Sequence, residues 1–441
     1  MRFFIKNYGC QMNSYDSRRM ADILISAGHA HACSLLQANL IILNTCSIRE
    51  KVDGKIFSDI GRLKLLKEKA SGNFFIVVVG CMAQSRFSDI VRRTPYVDII
   101  LGPQNIHLIA EIVDDIIKNK VLDATISTSE DAESKFRQLP NKFSDRGVSE
   151  FLTIQEGCNN FCSYCVVPFT RGREFSRGVL DIVQEVKNLI SLGVKEITLL
   201  GQNVNSYNGE GRGRRNYSFP DLLFELAHMD GLKRLRYTTS NPRDVDENLA
   251  RAHKEIEILM PSLHLPVQSG ADAILKKMNR KYTRNEYVRC VEMLREYRPD
   301  LAFSSDFIVG FPGETDADFQ QTLELAESIG YAQAYSFKYS PRSGTPAAQM
   351  PNPVPEDIKS ERLQILQNLL DDQQLKFNQN FIGQYLNVLF VKEGRHEKQL
   401  VGRSEYSQSV SSTAAAASVG DIVNVRITEV ASHSLIGVID Q

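Results

Sequence analysis

The sequence contains no tryptophan, no excess of either charge and no long hydrophobic run. Its 52 lysines and arginines nearly balance 53 aspartates and glutamates, which gives a formal net charge of −1 over 441 residues. This balance excludes a chain that is basic throughout, so any nucleic acid has to be bound by local clusters of cations. The longest apolar run, Phe74–Met82, has the length of a strand, whereas a membrane-spanning helix needs about 18 residues or more. We therefore predict no membrane span.

The first ten residues, MRFFIKNYGC, lack the apolar core and the small-residue cleavage site of a signal peptide. We therefore expect a cytoplasmic protein. In that compartment eight cysteines favour metal or redox chemistry over a framework of disulfides.

Patterns of hydrophobic residues predict an α/β chain of three domains. Residues 1–120 alternate strand-length apolar runs with helical patterns, which is typical of an open parallel α/β sheet. Residues 121–143 are polar and non-periodic and are predicted to be a linker. Residues 144–375 contain six strand–helix units, which fit a partial (β/α)6 barrel better than a closed barrel of eight. Residues 377–441 predict a small β-barrel, in which the low-complexity segment SVSSTAAAAS (409–418) has no assigned role.

One cysteine motif is dense enough to carry chemistry. Cys158, Cys162 and Cys165 form a CxxxCxxC pattern after the first strand of the predicted partial barrel. Three thiolates at this spacing can hold three irons of a 4Fe–4S cluster and leave the fourth iron open for another ligand. A zinc knuckle is the alternative, but it needs a fourth ligand, and no other cysteine or histidine lies within about 40 residues.

This spacing and the six strand–helix units resemble the radical S-adenosylmethionine (SAM) superfamily. The resemblance implies that the open iron binds SAM, and that one electron from the cluster cleaves SAM to methionine and a 5′-deoxyadenosyl radical. Such barrels build their sites at the carboxyl ends of the strands. The candidates for SAM contacts there are Tyr164, Gln202, Asn203, Ser240, His264, Gln268 and Ser269. Turn formation and helix capping would use the same residue types equally well.

Three more cysteines lie at equivalent places in the first domain. Cys10, Cys46 and Cys81 each follow the carboxyl end of a predicted strand. Parallel strands of one sheet would bring them to one edge, which predicts a second cluster with three cysteine ligands. Three buried structural cysteines are the alternative. Cys33 and Cys290 have no partner motif and are predicted to be structural.

The strings around these cysteines are similar to the radical SAM methylthiotransferase family. They include Asn7-Tyr-Gly-Cys10-Gln-Met-Asn13 with Asp16-Ser17, Asn44-Thr-Cys46-Ser-Ile-Arg49-Glu-Lys51, Val79-Gly-Cys81-Met-Ala-Gln84, the CxxxCxxC motif and Thr170-Arg-Gly-Arg-Glu174. The resemblance covers the whole chain, and the Cys-Gln-Met-Asn and Thr-Arg-Gly-Arg-Glu strings favour its MiaB-type branch, which acts on tRNA. It implies an N-terminal methylthiotransferase domain, a radical SAM core and a C-terminal TRAM domain that binds RNA.

By this resemblance the chain is expected to methylthiolate carbon 2 of N6-isopentenyladenosine at position 37 of tRNA. It would use two 4Fe–4S clusters, one SAM as methyl donor and a second SAM as radical source. Carbon 2 carries no proton that an ordinary base could remove, which is why a radical is needed. The expected partners are the tRNA anticodon stem-loop and an electron donor such as a flavodoxin or a ferredoxin, and the chain is expected to be a monomer. The alternative substrates are threonylcarbamoyladenosine in tRNA and an aspartate of a ribosomal protein.

Local basic runs are the candidates for RNA contacts. They supply Arg171, Arg173, Arg177, Arg212, Arg214, Arg215 and Lys281, the last beside Tyr282. Cations next to an aromatic residue suit phosphate contact together with base stacking, and an anticodon loop is the kind of RNA that is read in this way. Ordinary solvated surface is the alternative. Residues 377–441 contain five basic and six acidic residues, so charge does not support RNA binding by the C-terminal barrel.

Overall fold

The fold is taken from a computed structural model of the chain. It describes residues 1–46, 50–70, 72–119, 125–127, 131–144, 146–413 and 417–440, and for residues 50–53, 119, 125–127 and 214 it describes the backbone.

The N-terminal domain is a six-stranded parallel sheet in the order β2-β1-β3-β4-β5-β6, as the sequence predicts. Its strands are β1 Arg2–Asn7, β2 Ala30–His31, β3 Leu40–Thr45, β4 Phe75–Gly80, β5 Ile99–Leu101 and β6 Thr125–Ser127. Its helices are α1 Gln11–Ser26, α2 Glu50–Lys69, α3 Cys81–Ser85, α4 Phe87–Arg93 and α5 Ile109–Asn119. All six residues of β3 are buried because helices cover both faces of the sheet, which explains the continuous apolar run.

The segment predicted to be a linker contains regular structure. Strand β6 pairs with β5 at the edge of the sheet, and helix α6 spans Ala132–Gln138. The side chain of Asp131 caps α6 by accepting the N–H of Ser134 at 3.0 Å. Its Lys135 is fully buried. The polar residues of this segment therefore have two kinds of surroundings: Lys135 is buried, whereas others are exposed to solvent.

The central domain has six parallel strands, arranged as the sheets β7-β10-β13 and β14-β15-β16. The strands are β7 Ser149–Thr153, β10 Glu196–Leu200, β13 Arg234–Tyr237, β14 Ser262–His264, β15 Ala302–Val309 and β16 Gln333–Lys338. A parallel bridge between Leu235 and Leu259 connects the two sheets. Since β7 and β16 are edge strands of the described sheets, the barrel is partial, as predicted. We call the end that is formed by the carboxyl ends of these strands the barrel mouth.

The helices around the partial barrel are α7 Val167–Thr170, α8 Val179–Ser191, α9 Phe219–Ala227, α10 Glu247–Glu255, α11 Asp272–Lys277, α12 Arg284–Tyr297 and α13 Asp316–Ile329. The sequence does not predict α10 or two short hairpins, β8 Gln155–Glu156 with β9 Phe175–Ser176 and β11 Asn208–Glu210 with β12 Asn216–Ser218. Capping boxes fix the starts of three helices, with Ser218, Thr283 and Thr315 as the N-caps.

The two faces of the barrel strands have different neighbours. On β15, Phe303 and Phe307 are buried in the core under the surrounding helices. Ser304 and Asp306, which alternate with them, are partly exposed. Because successive side chains point to opposite faces of a strand, Ser304 and Asp306 face the interior of the barrel. We call this interior the lumen.

Helix α14, Glu356–Gln379, leads to a closed five-stranded barrel in the order β17-β18-β19-β21-β20. Its strands are β17 Tyr385–Glu393, β18 Gln399–Ser404, β19 Ser409–Thr413, β20 Ile422–Ala431 and β21 Ser434–Val438. Strand β19 corrects the sequence analysis, since it lies in the segment 409–418 that was assigned no role. Val410 and Ser412 of β19 are buried, so this part of the segment contributes to the barrel core.

The C-terminal barrel is docked on the amino ends of the strands of the partial barrel. Arg234 and Arg236 of β13 donate hydrogen bonds of 2.6–2.9 Å to the carbonyl oxygens of Asn387, Arg403, Ser404 and Glu405. Arg236 Nε also donates to Glu196 at 2.8 Å. Both arginines are buried, so the contact is fixed by charged groups that are shielded from water. Among the described residues, no helix has the length and apolar character that crossing a membrane requires.

Candidate active site

The first cysteine triad, Cys158, Cys162 and Cys165, lies in the loop between β8 and α7 at the barrel mouth. The N–H of Cys165 donates to the carbonyl oxygen of Cys162 at 2.9 Å, so a tight turn holds these two residues together. The N–H of Cys158 donates to the carbonyl oxygen of Gly172 at 3.3 Å. The three thiols therefore share one short loop that is tied to the chain returning from α7.

Gly157 allows this loop to close. Its φ of +77° is a left-handed conformation that favours glycine, and an added Cβ would lie 2.0 Å from the carbonyl oxygen of Arg173. Its N–H donates to Gln202 Oε1 at 2.6 Å. The loop after β10 therefore supports the first triad directly.

Burial and neighbouring charges shape the thiols of this triad. Burial, together with the charge of Cys162, raises the pKa of Cys165 to about 12. Burial also raises the pKa of Cys158. Arg280, which the sequence analysis did not single out, donates from Nη1 to the sulfur of Cys162 at 3.4 Å. Because bound metal ions deprotonate their thiol ligands outright, a cationic cluster would overcome this resistance to ionisation.

Among the described residues, no group of three or more His, Cys, Asp and Glu side chains is arranged to hold a single metal ion. A 4Fe–4S cluster makes a different demand, because each thiolate binds a different iron of the cube. Three thiols in one loop, with the half-buried Arg280 beside them, fit that demand. Ligation by Cys158, Cys162 and Cys165 stays a prediction.

The second cysteine triad, Cys10, Cys46 and Cys81, lies at the carboxyl edge of the N-terminal sheet. The three residues follow β1, β3 and β4, so the structure brings together what the strand ends predict. A hydrogen bond with the Cys46 thiol outweighs burial and lowers the pKa of Cys10 to about 6. Gly9 makes the approach possible, since a Cβ there would lie 2.3 Å from the Cβ of Cys46. This donor set also fits a cluster with three thiolate ligands, and ligation again stays a prediction.

A group of four buried charges lies close to the second triad, and two of its residues, Glu156 and Arg171, flank the loop of the first triad in the chain. Arg171 donates to Glu156 at 3.1 Å and to Asp16 at 3.0 Å. Lys135 donates to Asp16 at 2.8 Å and to Glu156 at 2.5 Å. We call these four residues the buried charge network. Its two cations balance its two carboxylates, which allows all four groups to be buried.

Several predicted SAM contacts lie at the barrel mouth. Asn203 Oδ1 and Ser240 Oγ are buried and have no hydrogen-bond partner among the described residues, which suits a polar ligand. His264 Nδ1 lies 3.0 Å from Ser304 Oγ in the lumen. Tyr164 packs edge-on against Phe311, with 6.4 Å between the ring centroids. SAM contact by these residues and Gln202 stays a prediction.

Two predicted SAM contacts have local structural roles. The hydroxyl of Ser269 is fully buried and accepts the N–H of Ala271 at 3.2 Å. The N–H of Gln268, which has a φ of +73°, donates to the carbonyl oxygen of Asp306 at 2.9 Å. The Ser269 contact favours turn formation, the alternative that the sequence left open. The Gln268 contact is a backbone bridge to β15, so SAM contact by the Gln268 side chain stays a prediction.

Three predicted RNA contacts are wrong because their side chains are buried inside the protein. Arg171 belongs to the buried charge network. Arg177 pairs with Glu185 at 2.7 Å. The hydroxyl of Tyr282 donates to the carbonyl oxygen of Val267 at 3.0 Å, and its ring lies under the guanidinium of Arg280. A run of cations in the sequence does not distinguish a buried ion pair from a surface contact.

The other predicted RNA contacts remain accessible where the structure describes them. Arg173, Arg212, Arg215 and Lys281 are exposed. Arg212 pairs with Glu225 at 2.7 Å on the surface, where such pairs contribute little. The side chain of Arg214 lies outside the described part of the chain. RNA contact by these residues stays a prediction.

The lumen contains an aromatic wall that the sequence motifs do not predict. Tyr335 and Phe337 of β16 are aligned with Asp306 and Ile308 of β15, whose side chains face the lumen. Lys338, on the opposite face of β16, donates to Ser360 of α14 outside the barrel. Tyr335 is 45% exposed and Phe337 is 38% exposed, which is high for large aromatic side chains. The signal in the sequence is the alternating Tyr-Ser-Phe-Lys pattern of β16.

Comparison with known families agrees with this architecture. The model of the radical SAM superfamily matches residues 152–326, that of the uncharacterized protein family UPF0004 matches residues 2–102, and that of the TRAM domain matches residues 379–439. The radical SAM methyltransferase TsrM from Kitasatospora setae has a similar fold, with a TM-score of 0.58, 15% identity, and coverage of 79% of this chain and 75% of that chain. Fold and cysteine motif thus define a radical SAM enzyme.

Relatives at much higher identity specify the family. A protein from Agrobacterium fabrum (strain C58 / ATCC 33970) is 49% identical over 441 residues, which cover 98% of this chain and 96% of the relative. A protein from Bartonella bacilliformis is 50% identical over 442 residues, with 99% and 96% coverage. Both are named tRNA-2-methylthio-N(6)-dimethylallyladenosine synthase. The chain belongs to this family of radical SAM tRNA methylthiotransferases.

Proposed function

We propose that this enzyme methylthiolates carbon 2 of N6-isopentenyladenosine at position 37 of tRNA. The observation that carries the proposal is the presence of two cysteine triads in one chain, one in the loop after β8 and one at the carboxyl edge of the N-terminal sheet. A radical SAM enzyme with a single cluster would need the first triad only. The names of the relatives support the choice of substrate.

When bound, two 4Fe–4S clusters with three cysteine ligands each, and two SAM molecules per turnover, supply the radical, the methyl group and the sulfur. The chain itself holds the two sites in place and shields them. Asn203 and Ser240 offer buried polar atoms to SAM at the barrel mouth. Cys46 is buried and the other five cysteines of the two triads are half-buried, which limits the access of water to the reacting groups.

The lumen supports an apolar, flat substrate. Tyr335 and Phe337 present aromatic surface on which an adenine can stack, and an isopentenyl group adds apolar contact. A threonylcarbamoyl group or an aspartate side chain carries a carboxylate, which gains nothing from this wall. The aromatic wall therefore favours the isopentenyl substrate over the two alternatives.

Arg173, Arg212, Arg215 and Lys281 are the exposed cations that we propose for the RNA backbone. The C-terminal TRAM domain is proposed to hold another part of the tRNA. A flavodoxin or ferredoxin as electron donor, a monomeric state and a cytoplasmic location stay predictions.

The test is anaerobic incubation with SAM, a reductant and hypomodified tRNA, followed by mass spectrometry of the nucleosides. We expect 2-methylthio-N6-isopentenyladenosine as the product. Activity on a tRNA with threonylcarbamoyladenosine, or on a ribosomal-protein aspartate, without activity on isopentenyladenosine would overturn the substrate assignment.

Cysteine variants separate the two triads. Replacing the first triad with alanine is expected to abolish deoxyadenosine formation, whereas replacing Cys10, Cys46 and Cys81 is expected to leave SAM cleavage and stop methylthiolation. Each triple variant should lose about half of roughly eight irons per chain. The matched control replaces Cys33 and Cys290, which lie outside both triads, and should keep all iron. Equal iron in all variants would contradict the assignment of the ligands.

A further inference from the structure

A single buried arginine, Arg171, follows the loop of the first cysteine triad in the chain and lies near the second triad. Arg171 follows α7, which continues directly from the loop of the first triad. Its charge acts on the thiols of Cys81 and Cys10 in the second triad. Only 2% of Arg171 is exposed. One residue of the radical SAM domain thus places its charge close to the second triad.

The backbone around Arg171 is held by the N-terminal domain as well. Helix α3, which begins with Cys81, packs against α7. The side chain of Gln104, in the turn after β5, donates to the carbonyl oxygen of Arg171 at 2.9 Å. These backbone contacts are independent of the guanidinium, and they fix the two domains against each other at this point.

The buried charge network leaves the guanidinium little freedom. Asp16 comes from α1 and Lys135 from α6, while Glu156 is the last residue of β8. Glu156 accepts from Nη1 and Asp16 accepts from Nη2, so both ends of the planar fork are occupied. The position of the positive charge beside Cys81 is therefore set by three separate segments of the chain.

We propose that Arg171 is a positioning residue that fixes the distance between the two cluster sites and places a positive charge beside the second cluster. The inference rests on the proposed function, which requires one iron–sulfur cluster at each triad. Charge and hydrogen bonds at the ligand sulfurs set the potential of an iron–sulfur cluster. A fixed distance matters because the activated base and the sulfur have to meet, and small misplacements cost large factors in rate.

The test is the double variant Arg171→Gln/Glu156→Gln in the full-length enzyme. It removes one cation and one carboxylate, so the remaining pair of Lys135 and Asp16 stays neutral and the fold is not left with an unpaired buried charge. The matched control is Arg177→Gln/Glu185→Gln. That pair is equally buried and also faces α1, through Tyr15, but it does not contact Cys10, Cys46 or Cys81 among the contacts described.

Two readouts are measured. The first is the midpoint potential and EPR spectrum of the second cluster, reconstituted in a background in which the first triad is replaced with alanine. The second is the ratio of methylthiolated product to deoxyadenosine in the background with both triads. For Arg171→Gln/Glu156→Gln we expect a lower potential and a product ratio reduced by up to about a hundredfold, while the control keeps both. Arg171→Lys should restore part of the potential shift, because it returns the charge.

An unchanged potential and an unchanged product ratio in Arg171→Gln/Glu156→Gln would overturn the inference. Equal shifts in the control variant would do so as well, since they would reveal a general effect of the domain contact. The potential is measured without RNA, so it decides the role of Arg171 even if the wild type acts on another substrate. A wild type that holds only one cluster would overturn this inference and the proposed function together.

Discussion

The contact between Arg236 and the C-terminal barrel allows a quantitative prediction for Arg236→Gln. The guanidinium donates to Glu196 and to carbonyl oxygens of the C-terminal barrel, and all these groups are shielded from water. Removing it leaves the Glu196 carboxylate with Arg234 as its remaining cation, at 3.9 Å. Breaking a buried pair in this way costs about 3–5 kcal/mol. At 1.4 kcal/mol per tenfold, docking of the barrel weakens by roughly two to three and a half powers of ten.

The assay is limited proteolysis at the turn between α14 and β17, with the C-terminal fragment identified by mass spectrometry. Most of this turn is already exposed, but undocking frees the C-terminal barrel to move and lets the turn unfold locally more often. Arg236→Gln is therefore expected to be cleaved faster than the wild type, whereas Arg403→Gln, which changes an exposed arginine of the barrel, should behave like the wild type. Adding Glu196→Gln to Arg236→Gln should slow cleavage again, because it removes the unpaired carboxylate. Equal cleavage rates for Arg236→Gln and the wild type would refute this account of the docking.

Three further predictions follow from the same structure. Burial raises the pKa of Glu196, but the charge of Arg236 outweighs it and leaves the pKa below its usual 4.5. The difference in Tm between the wild type and Glu196→Gln should therefore be constant above about pH 4.5 and vanish as the pH falls through the lower, folded-state pKa; a difference that grows on acidification would contradict this sign. Gly157→Ala should lose iron from the first triad because its new Cβ would clash with the backbone of Arg173. The control Gly193→Ala, with φ +91° but open space around it, should keep its iron. Equal iron contents in the two variants would show that the clash at Gly157 has no effect on the triad. Tyr335→Ala should weaken tRNA binding by about 1–3 kcal/mol and leave deoxyadenosine formation unchanged. The control is Phe87→Ala, which changes another exposed aromatic residue. An unaltered affinity of Tyr335→Ala for tRNA would exclude stacking in the lumen.

The grouping of the cysteines was predictable because strand ends are visible in a sequence. Cys10, Cys46 and Cys81 follow apolar runs, and parallel strands have to end at one edge of the sheet. The same reasoning found the partial barrel and the C-terminal barrel. Strand β19 was missed because serines and alanines carry no hydrophobic alternation strong enough to indicate a strand.

Burial of charge was not predictable from the sequence. Arg171 looks like an RNA contact because its neighbours are basic, yet its partner Asp16 is 155 residues away along the chain. One signal was available in α1: Asn13, Asp16 and Arg19 follow one another at three-residue spacing, so each polar residue lies next to the following one on the helix surface. A polar stripe of this kind beside a candidate ligand indicates a buried network and not a solvated surface.

The docking of the C-terminal barrel has a consequence for the shape of the RNA. This barrel covers the amino ends of strands that are four residues long in β13 and eight residues long in β15. At about 3.3 Å per residue, roughly 13–26 Å separate it from the barrel mouth, where the loop of the first triad lies. An RNA that reached both ends would have to run along the outside of the protein, so we expect binding to depend on the length of the RNA as well as on its sequence. A hairpin shorter than this span would be modified without help from the C-terminal barrel, and only a longer stem would gain affinity from it.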